Sequence, residues 1–352
     1  MSLRNQVWRN WAQPTCIIKA AKFGFRHALL LLVCSLTLAR VAWSQEPVAN
    51  PAGSNSDTGF RKLVEKHQRD ALRDTIEYLA RNPEADDAEA AALWIFETAI
   101  AQGLEGEAIA PAGQFLKRRD LDQQSISLAQ QALCVGLART GKQADALTVF
   151  DSFLRGMRFQ SPFRSLDLAG SLAAQARISG DLAAARAVYE RLAAAYPLNT
   201  QISEIVEGRL ARQELIGQPA PKLAANALDG QQIDLADYAR KVVLVDFWAT
   251  NCAPCLAEFP NLKQLYKENH EKGLEIVGVS FDDGPEVVQA YLARAKLPWR
   301  IVMNESSDGL ISQRFKTKTI PALFLIGRNG QIAQVDVHAG DLRAVVEKLL
   351  TE

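Results

Sequence analysis

The stretch VDFWATNCAPC, residues 245–255, decides the fold of the C-terminal part of this chain. It continues a nearly unbroken apolar run, Val242–Trp248, which is typical of a central strand buried on both faces. The first cysteine, Cys252, follows that run within four residues, the second comes three residues later, and a helical pattern then reaches about His270. We therefore expect a strand, a short loop and a helix that begins at the first cysteine.

The two cysteines, Cys252 and Cys255, are expected on one face of this helix, one turn apart and close enough to form a disulfide. Asn251 is a residue type that favours the N-cap, and Cys252 would then take the first helical position. Pro254 falls in the first turn, where its missing donor is harmless. Free backbone N–H groups and the helix dipole favour a thiolate at that end. We expect Cys252 to be the nucleophile and the more buried Cys255 to be the resolving thiol.

A CxxC motif by itself leaves three interpretations open: a structural disulfide, half of a zinc site and a redox-active pair. No second CxxC is present, and the four histidines lie far apart in the sequence. A zinc site made of cysteine needs more ligands at close spacing, so no metal site is expected. The strand–CxxC–helix context favours the redox pair, with no cofactor beyond a Cys252–Cys255 disulfide.

The sequence on both sides of the motif alternates between strand and helix patterns. Leu274–Ser280 is a second buried-strand pattern, and an Asn-Gly turn at residues 327–330 predicts a hairpin. Such an order indicates an α/β fold with a mixed central sheet flanked by helices. The other expected elements are strands at Gln231–Leu235, Trp299–Met303, Ala322–Ile326 and Gln331–Val335, and helices at Pro285–Ala295 and Leu342–Leu350.

Residues 59–215 are helical in pattern almost throughout, and a Pro-rich segment, residues 216–221, resists helix and suggests a boundary. An internal repeat lies in this helical stretch. It consists of Gly141, Ala146 and Phe150, which recur 39 residues later as Gly180, Ala185 and Tyr189. The repeat resembles tetratricopeptide helix pairs, and a plain helical bundle is the alternative. We expect an all-α helical-repeat domain at residues 59–215, followed by a second domain at 217–352.

The N-terminus has the pattern of a secretory signal peptide. Basic residues precede an apolar run at 28–39, and Ala42-Trp43-Ser44 resembles a cleavage site. An uncleaved membrane anchor is the alternative, because the basic region is unusually long. We expect residues 1–44 to be a signal peptide or anchor and residues 45–58 to be a flexible linker.

Composition and cysteine usage limit the classes of function. The formal net charge is zero, with 40 basic and 40 acidic residues, and no basic stripe is interleaved with aromatics. Nucleic acid is therefore not an expected partner. Outside the cytosol a disulfide can persist, but too few cysteines remain after the signal to staple a scaffold. Cys134 lies in an apolar pattern and is expected to be a buried small hydrophobe.

The C-terminal part of the chain resembles the thioredoxin superfamily. The stretch 245–255 is similar to its active-site strand and loop, and Pro260 matches the proline within the following helix. Residues 319–321 (TIP) match the loop with the cis-proline. The opening GQPAP at 217–221, Glu258 and the insert with the helix 285–295 resemble the exported TlpA/ResA branch. The resemblance implies a thioredoxin fold for residues 217–352.

The resemblance also implies roles for single residues. Asp246 matches the buried acid that exchanges protons with Cys255, and a carboxyl held in an apolar strand should have a raised pKa. Glu258 matches a second acid of the ResA-like branch, and either acid could be the main proton acceptor. The substrate-binding residues implied are Pro321 in the cis form, Ile320, Trp248 and Pro254.

Two positions depart from the family pattern. Asn251 replaces the tryptophan that usually precedes the first cysteine, which weakens the apolar rim of the substrate groove. Gly278 aligns with the lysine that partners the buried acid in thioredoxin, so Asp246 is expected to lack that charge partner. Neither change removes the dithiol chemistry.

The function implied is that of an exported, periplasmic thiol–disulfide oxidoreductase that reduces protein disulfides. Its implied partners are protein thiols and disulfides, among them apocytochrome c, and a membrane thiol donor. A first alternative is a helical-repeat scaffold that binds a protein partner and carries an accessory redox domain. A thiol peroxidase is a second alternative, but Leu244 and Ala249 stand where that class requires Pro and Thr or Ser.

Overall fold

The computed structural model describes residues 56–352 apart from residues 159, 161 and 338. The expected signal peptide or anchor at 1–44 lies outside the described residues. So does most of the expected linker at 45–58, although its last three residues already belong to the first helix. Within the described ranges, no helix is both long and apolar enough to cross a membrane.

The helical part, residues 56–215, consists of helices joined by short turns. Asp122, Asp181 and Asn199 each cap the helix that follows, because a side-chain oxygen accepts from a free backbone N–H. The helices are α1 (Ser56–Arg81), α2 (Ala88–Gln102), α3 (Ile109–Phe115), α4 (Gln123–Arg139), α5 (Gln143–Met157), α6 (Pro162–Ile178), α7 (Leu182–Ala195) and α8 (Thr200–Gln213).

The expected repeat corresponds to two helix pairs, α4 with α5 and α6 with α7. Gly141 and Gly180 make the turns of the two pairs at φ of 80° and 84°, a backbone region that favours glycine. Phe150 and Tyr189 are both fully buried in one hydrophobic core. The helix pairs are confirmed, whereas the tetratricopeptide assignment stays a prediction.

Cys134 of α4 is fully buried, as expected, and its thiol donates to the carbonyl of Ala146 at 3.1 Å. Burial raises the pKa of this thiol well above its usual value, because the thiolate would be stripped of water. Cys134 is therefore an unreactive core residue.

The C-terminal part, residues 217–352, alternates strands and helices. Its strands are β1 (Ala224–Asn226), β2 (Gln232–Asp234), β3 (Val242–Trp248), β4 (Leu274–Ser280), β5 (Arg300–Met303), β6 (Glu305–Ser306), β7 (Gly309–Leu310), β8 (Ala322–Ile326) and β9 (Ile332–Val335). Its helices are α9 (Ala253–Asn269), α10 (Pro285–Ala295), α11 (Ile311–Arg314) and α12 (Ala339–Thr351).

Five of these strands form the central sheet in the order β5-β4-β3-β8-β9. Strands β3, β4 and β5 run parallel, whereas β8 pairs antiparallel with both β3 and β9. Every residue of β3 is buried, because helices and loops cover both faces of the sheet. The predicted thioredoxin fold with a mixed central sheet flanked by helices is confirmed.

The Pro-rich segment at 216–221 is paired with the β8–β9 hairpin. The amide of Gly217 donates to the carbonyl of Ile332 at 2.8 Å, and the amide of Ile332 donates to the carbonyl of Gln218 at 2.9 Å. Ala220 continues this pairing toward Gly330. These bonds hold the segment against the outer edge of β9.

The helical part packs directly against the C-terminal part, and Gly59–Glu352 form one compact unit. Arg212 of α8 forms a buried ion pair with Asp336, which follows β9. Asp341 of α12 accepts from Arg139 of α4 at 2.7 Å and from Gln175 of α6 at 2.6 Å. Two arginines and one glutamine on three helices therefore bind two carboxylates of the C-terminal part.

Candidate active site

The two cysteines of the motif form a disulfide at the start of α9. Their sulfur atoms are 2.02 Å apart and their Cα atoms 5.3 Å apart. Cys255 is 2% exposed, whereas Cys252 is partly exposed. The two sulfurs therefore differ in access to a reaction partner in solution.

The helix begins one residue later than expected. Cys252 itself is the N-cap, with extended backbone angles of φ −93° and ψ 90°, and its sulfur accepts from the amide of Cys255 at 3.3 Å. Asn251 is exposed and does not cap the helix. The assignment of Cys252 to the first helical position is wrong. Cys252 is the N-cap, because its sulfur is the side-chain acceptor for a free backbone N–H of the first turn. The amide of Cys255 still favours negative charge on Cys252.

An unexpected carboxylate holds the loop before the disulfide. Asp282, just after β4, accepts from the amide of Thr250 at 3.0 Å and from its hydroxyl at 2.5 Å. The hydroxyl of Ser280 donates to the same carboxylate at 2.9 Å. The pairing of Trp248 with Ser280 at the ends of β3 and β4 brings these residues together. An acid directly after the second buried strand was the available signal for this contact.

Asp246 lies in the middle of β3, on the face that also carries Leu244 and Trp248, and is 5% exposed. Burial raises the pKa of Asp246 to about 7, and the negative charge of Glu258 on α9 adds to the increase. The predicted raised pKa is confirmed. The acid therefore changes its protonation near neutral pH.

Gly278 lies opposite Asp246 in the parallel pairing of β3 with β4. A Cβ atom at this glycine would collide with Cδ1 of Ile301 and lie 3.1 Å from Nε1 of Trp248. A lysine has no room here. Among the described residues no salt bridge involves Asp246.

Trp248 is fully buried, so its assignment to substrate binding is wrong. Its ring packs edge-to-face on Phe259 of α9 at 4.9 Å between centroids and against Tyr291 of α10 at 5.5 Å. The alternation of side chains along β3 directs this ring into the core, beneath the helix that carries the cysteines. Trp248 therefore supports α9 from below.

The peptide bond between Ile320 and Pro321 is cis, as predicted. Ile320 and Cys252 are both partly buried and pack against the same hydrophobic core. Pro321 lines a cleft of about 760 Å³ together with Pro254 and Glu258. Three of the predicted site residues thus share one concave surface.

The opposite wall of this cleft belongs to the helical part. Asp167 and Gly170 of α6 and Arg209 of α8 line it. Nothing in the sequence near these residues marks them as site residues, because they lie far from the CxxC motif along the chain. Only the packing of the two parts brings them to the cleft.

The C-terminal part is similar to known proteins. The model of the AhpC/TSA family matches residues 216–335. A solved thioredoxin domain of a thiol–disulfide oxidoreductase from Bacteroides vulgatus is 30% identical, with a TM-score of 0.36, and the match covers 38% of this chain and 97% of that domain.

Two curated relatives carry the same name. The thiol–disulfide oxidoreductase ResA of Bacillus cereus is 30% identical over 132 residues, which are 37% of this chain and 75% of the relative. ResA of Halalkalibacterium halodurans is 31% identical over 126 residues, 36% of this chain and 69% of the relative. With a thioredoxin fold and a CxxC disulfide at the start of α9, this chain belongs to the ResA-type family of thiol–disulfide oxidoreductases.

Proposed function

We propose that this enzyme reduces protein disulfides outside the cytosol by dithiol exchange at Cys252 and Cys255. One observation carries the proposal: a partly exposed sulfur and a buried sulfur are joined in a disulfide above a buried acid with a pKa of about 7. That arrangement suits a nucleophile, a resolving thiol and a proton acceptor.

In the proposed reaction the reduced enzyme supplies two electrons. The Cys252 thiolate attacks one sulfur of the substrate disulfide, and the other substrate sulfur leaves as a thiolate that takes up a proton. Cys255 then gives its proton to Asp246 and attacks the sulfur of Cys252. The second substrate sulfur leaves as a thiolate and takes up a proton, and the enzyme disulfide forms.

Asp246 is the better candidate for the proton acceptor. Its pKa near 7 allows it to be ionised before the transfer and protonated after it. Glu258 is partly exposed and lines the cleft, and its charge raises the pKa of Asp246. We assign Glu258 a tuning role.

The proposed compartment follows from the sequence pattern at residues 1–44, as a cleaved signal or an anchor. A membrane thiol donor would return the enzyme to the dithiol form, and no cofactor beyond the disulfide is required. Apocytochrome c is one proposed substrate. The peroxidase alternative is less well supported, because Leu244 and Ala249 are buried apolar residues.

One observation bears on the scaffold alternative, in which the helical part binds a protein partner and the redox part (residues 217–352) is accessory. Arg139 and Gln175 of the helical part hold Asp341 of α12. The helical part is thus fitted to the redox part. We favour a shared function, in which the helical part serves the dithiol.

Insulin disulfide reduction tests the proposal. Cys252→Ser should abolish turnover, and Cys255→Ser should accumulate a mixed disulfide with substrate. Cys134→Ser is the matched control, because that thiol is buried and lies outside the site. Unchanged turnover in Cys252→Ser would contradict the nucleophile assignment. Absence of a trapped adduct in Cys255→Ser would contradict the resolving role.

A further inference from the structure

The cleft beside the disulfide is walled by both parts of the molecule. Pro254 and Pro321 lie on the redox side, and Gly170 and Arg209 lie on the helical side. Its volume of about 760 Å³ falls within the range of about 300 to 1,000 Å³ that is usual for small-ligand sites. A short extended chain segment fits such a space, whereas a folded domain does not.

Arg209 is the unusual group on the helical wall. Its guanidinium carbon lies 5.7 Å from the centre of the Tyr189 ring, a cation–π distance. A Cβ atom at Gly170 would be 2.9 Å from Nη1 of Arg209, so this glycine provides the space that the guanidinium occupies. Stacking and a side-chain hydrogen bond with Tyr189 orient the guanidinium, and others of its five N–H donors stay available to another acceptor.

Arg139 and Arg343, two other arginines of the cleft, differ from Arg209 because both form ion pairs, Arg343 with Glu268. Arg139 pairs with Glu105 at 2.8 Å and with Asp341 at 2.7 Å. No salt bridge among the described residues involves Arg209. The nearby acid Asp336 is already bound by Arg212.

Asp167 is the other carboxyl near Arg209. Burial raises the pKa of Asp167, and the charge of Arg209 opposes that increase without forming a salt bridge. Arg209 therefore keeps the capacity to bind one more carboxylate in a partly desolvated place, where such a bond is strong.

Arg209 also lies beside the loop that carries the cis-proline. Its neighbour Gly208 faces that loop, since a Cβ atom there would be 3.6 Å from Oγ1 of Thr319. Thr319 is two residues before Pro321. Arg209 and Pro321 line one cleft, so we expect a chain segment that lies along Pro321 and crosses the cleft to reach the guanidinium.

We propose that this cleft holds an extended, cysteine-containing segment of a polypeptide substrate and that Arg209 pairs with an acidic side chain of that segment. The inference rests on the proposed dithiol reductase function and adds the substrate class. The helical part thereby acts as a selectivity wall that admits unfolded chain and favours acidic residues near the cysteine.

The test uses two unstructured synthetic peptides with one disulfide each, identical except for Glu or Lys next to the cysteine. Bis(2-hydroxyethyl) disulfide serves as a small neutral reference substrate. In single-turnover reactions the pre-reduced wild-type protein should reduce the Glu peptide with a second-order rate constant roughly ten-fold above that for the Lys peptide at low salt, as expected for a charge-assisted pair. A folded protein with a surface disulfide should react more slowly than either peptide.

Three variants test whether Arg209 causes the preference for the Glu peptide. Arg209→Gln should bring the Glu-to-Lys ratio close to one. Asp167→Asn removes the acid that faces Arg209 and should increase the ratio, a direction that a folding defect does not produce. Arg191→Gln is the matched control, because it removes a charge from the helical part outside the cleft, where Arg191 pairs with Asp151. It should leave the ratio unchanged.

The outcomes separate the two proposals. If the wild type fails to reduce the reference disulfide, the reductase function itself is wrong. If it reduces that disulfide but treats both peptides alike, the inference is overturned and the function stands. A ratio that survives Arg209→Gln, or a folded substrate that reacts as fast as the peptides, overturns it as well.

Discussion

Arg212 and Asp336 form a bidentate ion pair that is almost completely buried between the helical part and the redox part. Nη2 of Arg212 lies 2.9 Å from Oδ2 of Asp336, and the two side chains are 1% and 4% exposed. The amide of Asp336 also donates to the carbonyl of Leu323 at 2.7 Å, two residues beyond Pro321. The ion pair therefore connects the helical part to the strand that presents the cis-proline.

Removing one member of the Arg212–Asp336 pair should destabilise the folded protein. Arg212→Met leaves the Asp336 carboxylate buried without its cation, which should lower the free energy of unfolding by about 3 to 5 kcal/mol. Urea denaturation measures the loss. Arg186→Met is the control, because Arg186 is 45% exposed and should cost less than about 1 kcal/mol. A loss in Arg212→Met no larger than the control would contradict a structural role for the pair.

Asp246 should make stability depend on pH in a defined direction. Its pKa rises from 3.8 to about 7 on folding, so the folded state holds a proton that the unfolded state has lost between those values. The contribution of this group is fully present below about pH 4 and is lost as the pH rises through 7. The shift corresponds to about 4 kcal/mol. Asp246→Asn should thus be more stable than the wild type at pH 8 and similar at pH 4, as thermal unfolding would reveal.

The gain of Asp246→Asn over the wild type should develop between pH 4 and 7 and level off above 7. Asp283→Asn, an exposed acid near the same site, provides the control and should show no such trend. A constant difference across the whole range would mean that Asp246 ionises alike in the folded and unfolded protein.

The same acid should shape the pH dependence of turnover. Because the ionised form accepts the proton of Cys255, the rate of resolution should increase as the pH rises through about 7. In Asp246→Asn the rate of resolution should be lower by roughly 10²-fold or more, and its increase near pH 7 should disappear. Glu258→Gln removes the second cause of the raised pKa of Asp246, so the increase in rate should occur at lower pH. Stopped-flow release of the second substrate thiol measures the rate, and an unshifted profile in Glu258→Gln would argue against coupling of the two acids.

Asp282 should matter for catalysis although it does not touch the sulfurs. Asp282→Ala frees the amide and hydroxyl of Thr250 and loosens the loop before Cys252, so kcat should fall by roughly ten-fold or more. The pH profile set by Asp246 should stay in place. Asp282→Asn keeps an acceptor and should restore part of the rate, whereas full activity in the alanine variant would exclude a positioning role.

Local sequence patterns predict most of the strands and helices of the redox part. The bounds expected for β3, β4, β8 and α10 agree with the structure, because strand burial and proline positions are encoded within a few residues. The CxxC pair and its buried acid were recognisable for the same reason. The N-cap was misassigned, since Asn251 and Cys252 are both able to accept and only the backbone angles at Cys252 decide between them.

Local sequence patterns do not predict contacts between segments that are distant in the chain. The packing of Trp248 beneath α9 and the meeting of Arg209 and Pro321 in one cleft depend on how strands and helices pack in three dimensions. Residues far apart in the chain carry no local signal of such proximity.

The sequence by itself therefore determined the thioredoxin fold, the Cys252–Cys255 pair and the acid beside it, because period, spacing and residue type act over short range. Only the tertiary structure decided that Trp248 is buried beneath α9 and that the helical part walls the cleft. Burial and electrostatic pairing arise when separate segments exclude water from one another, and that happens only in the folded chain.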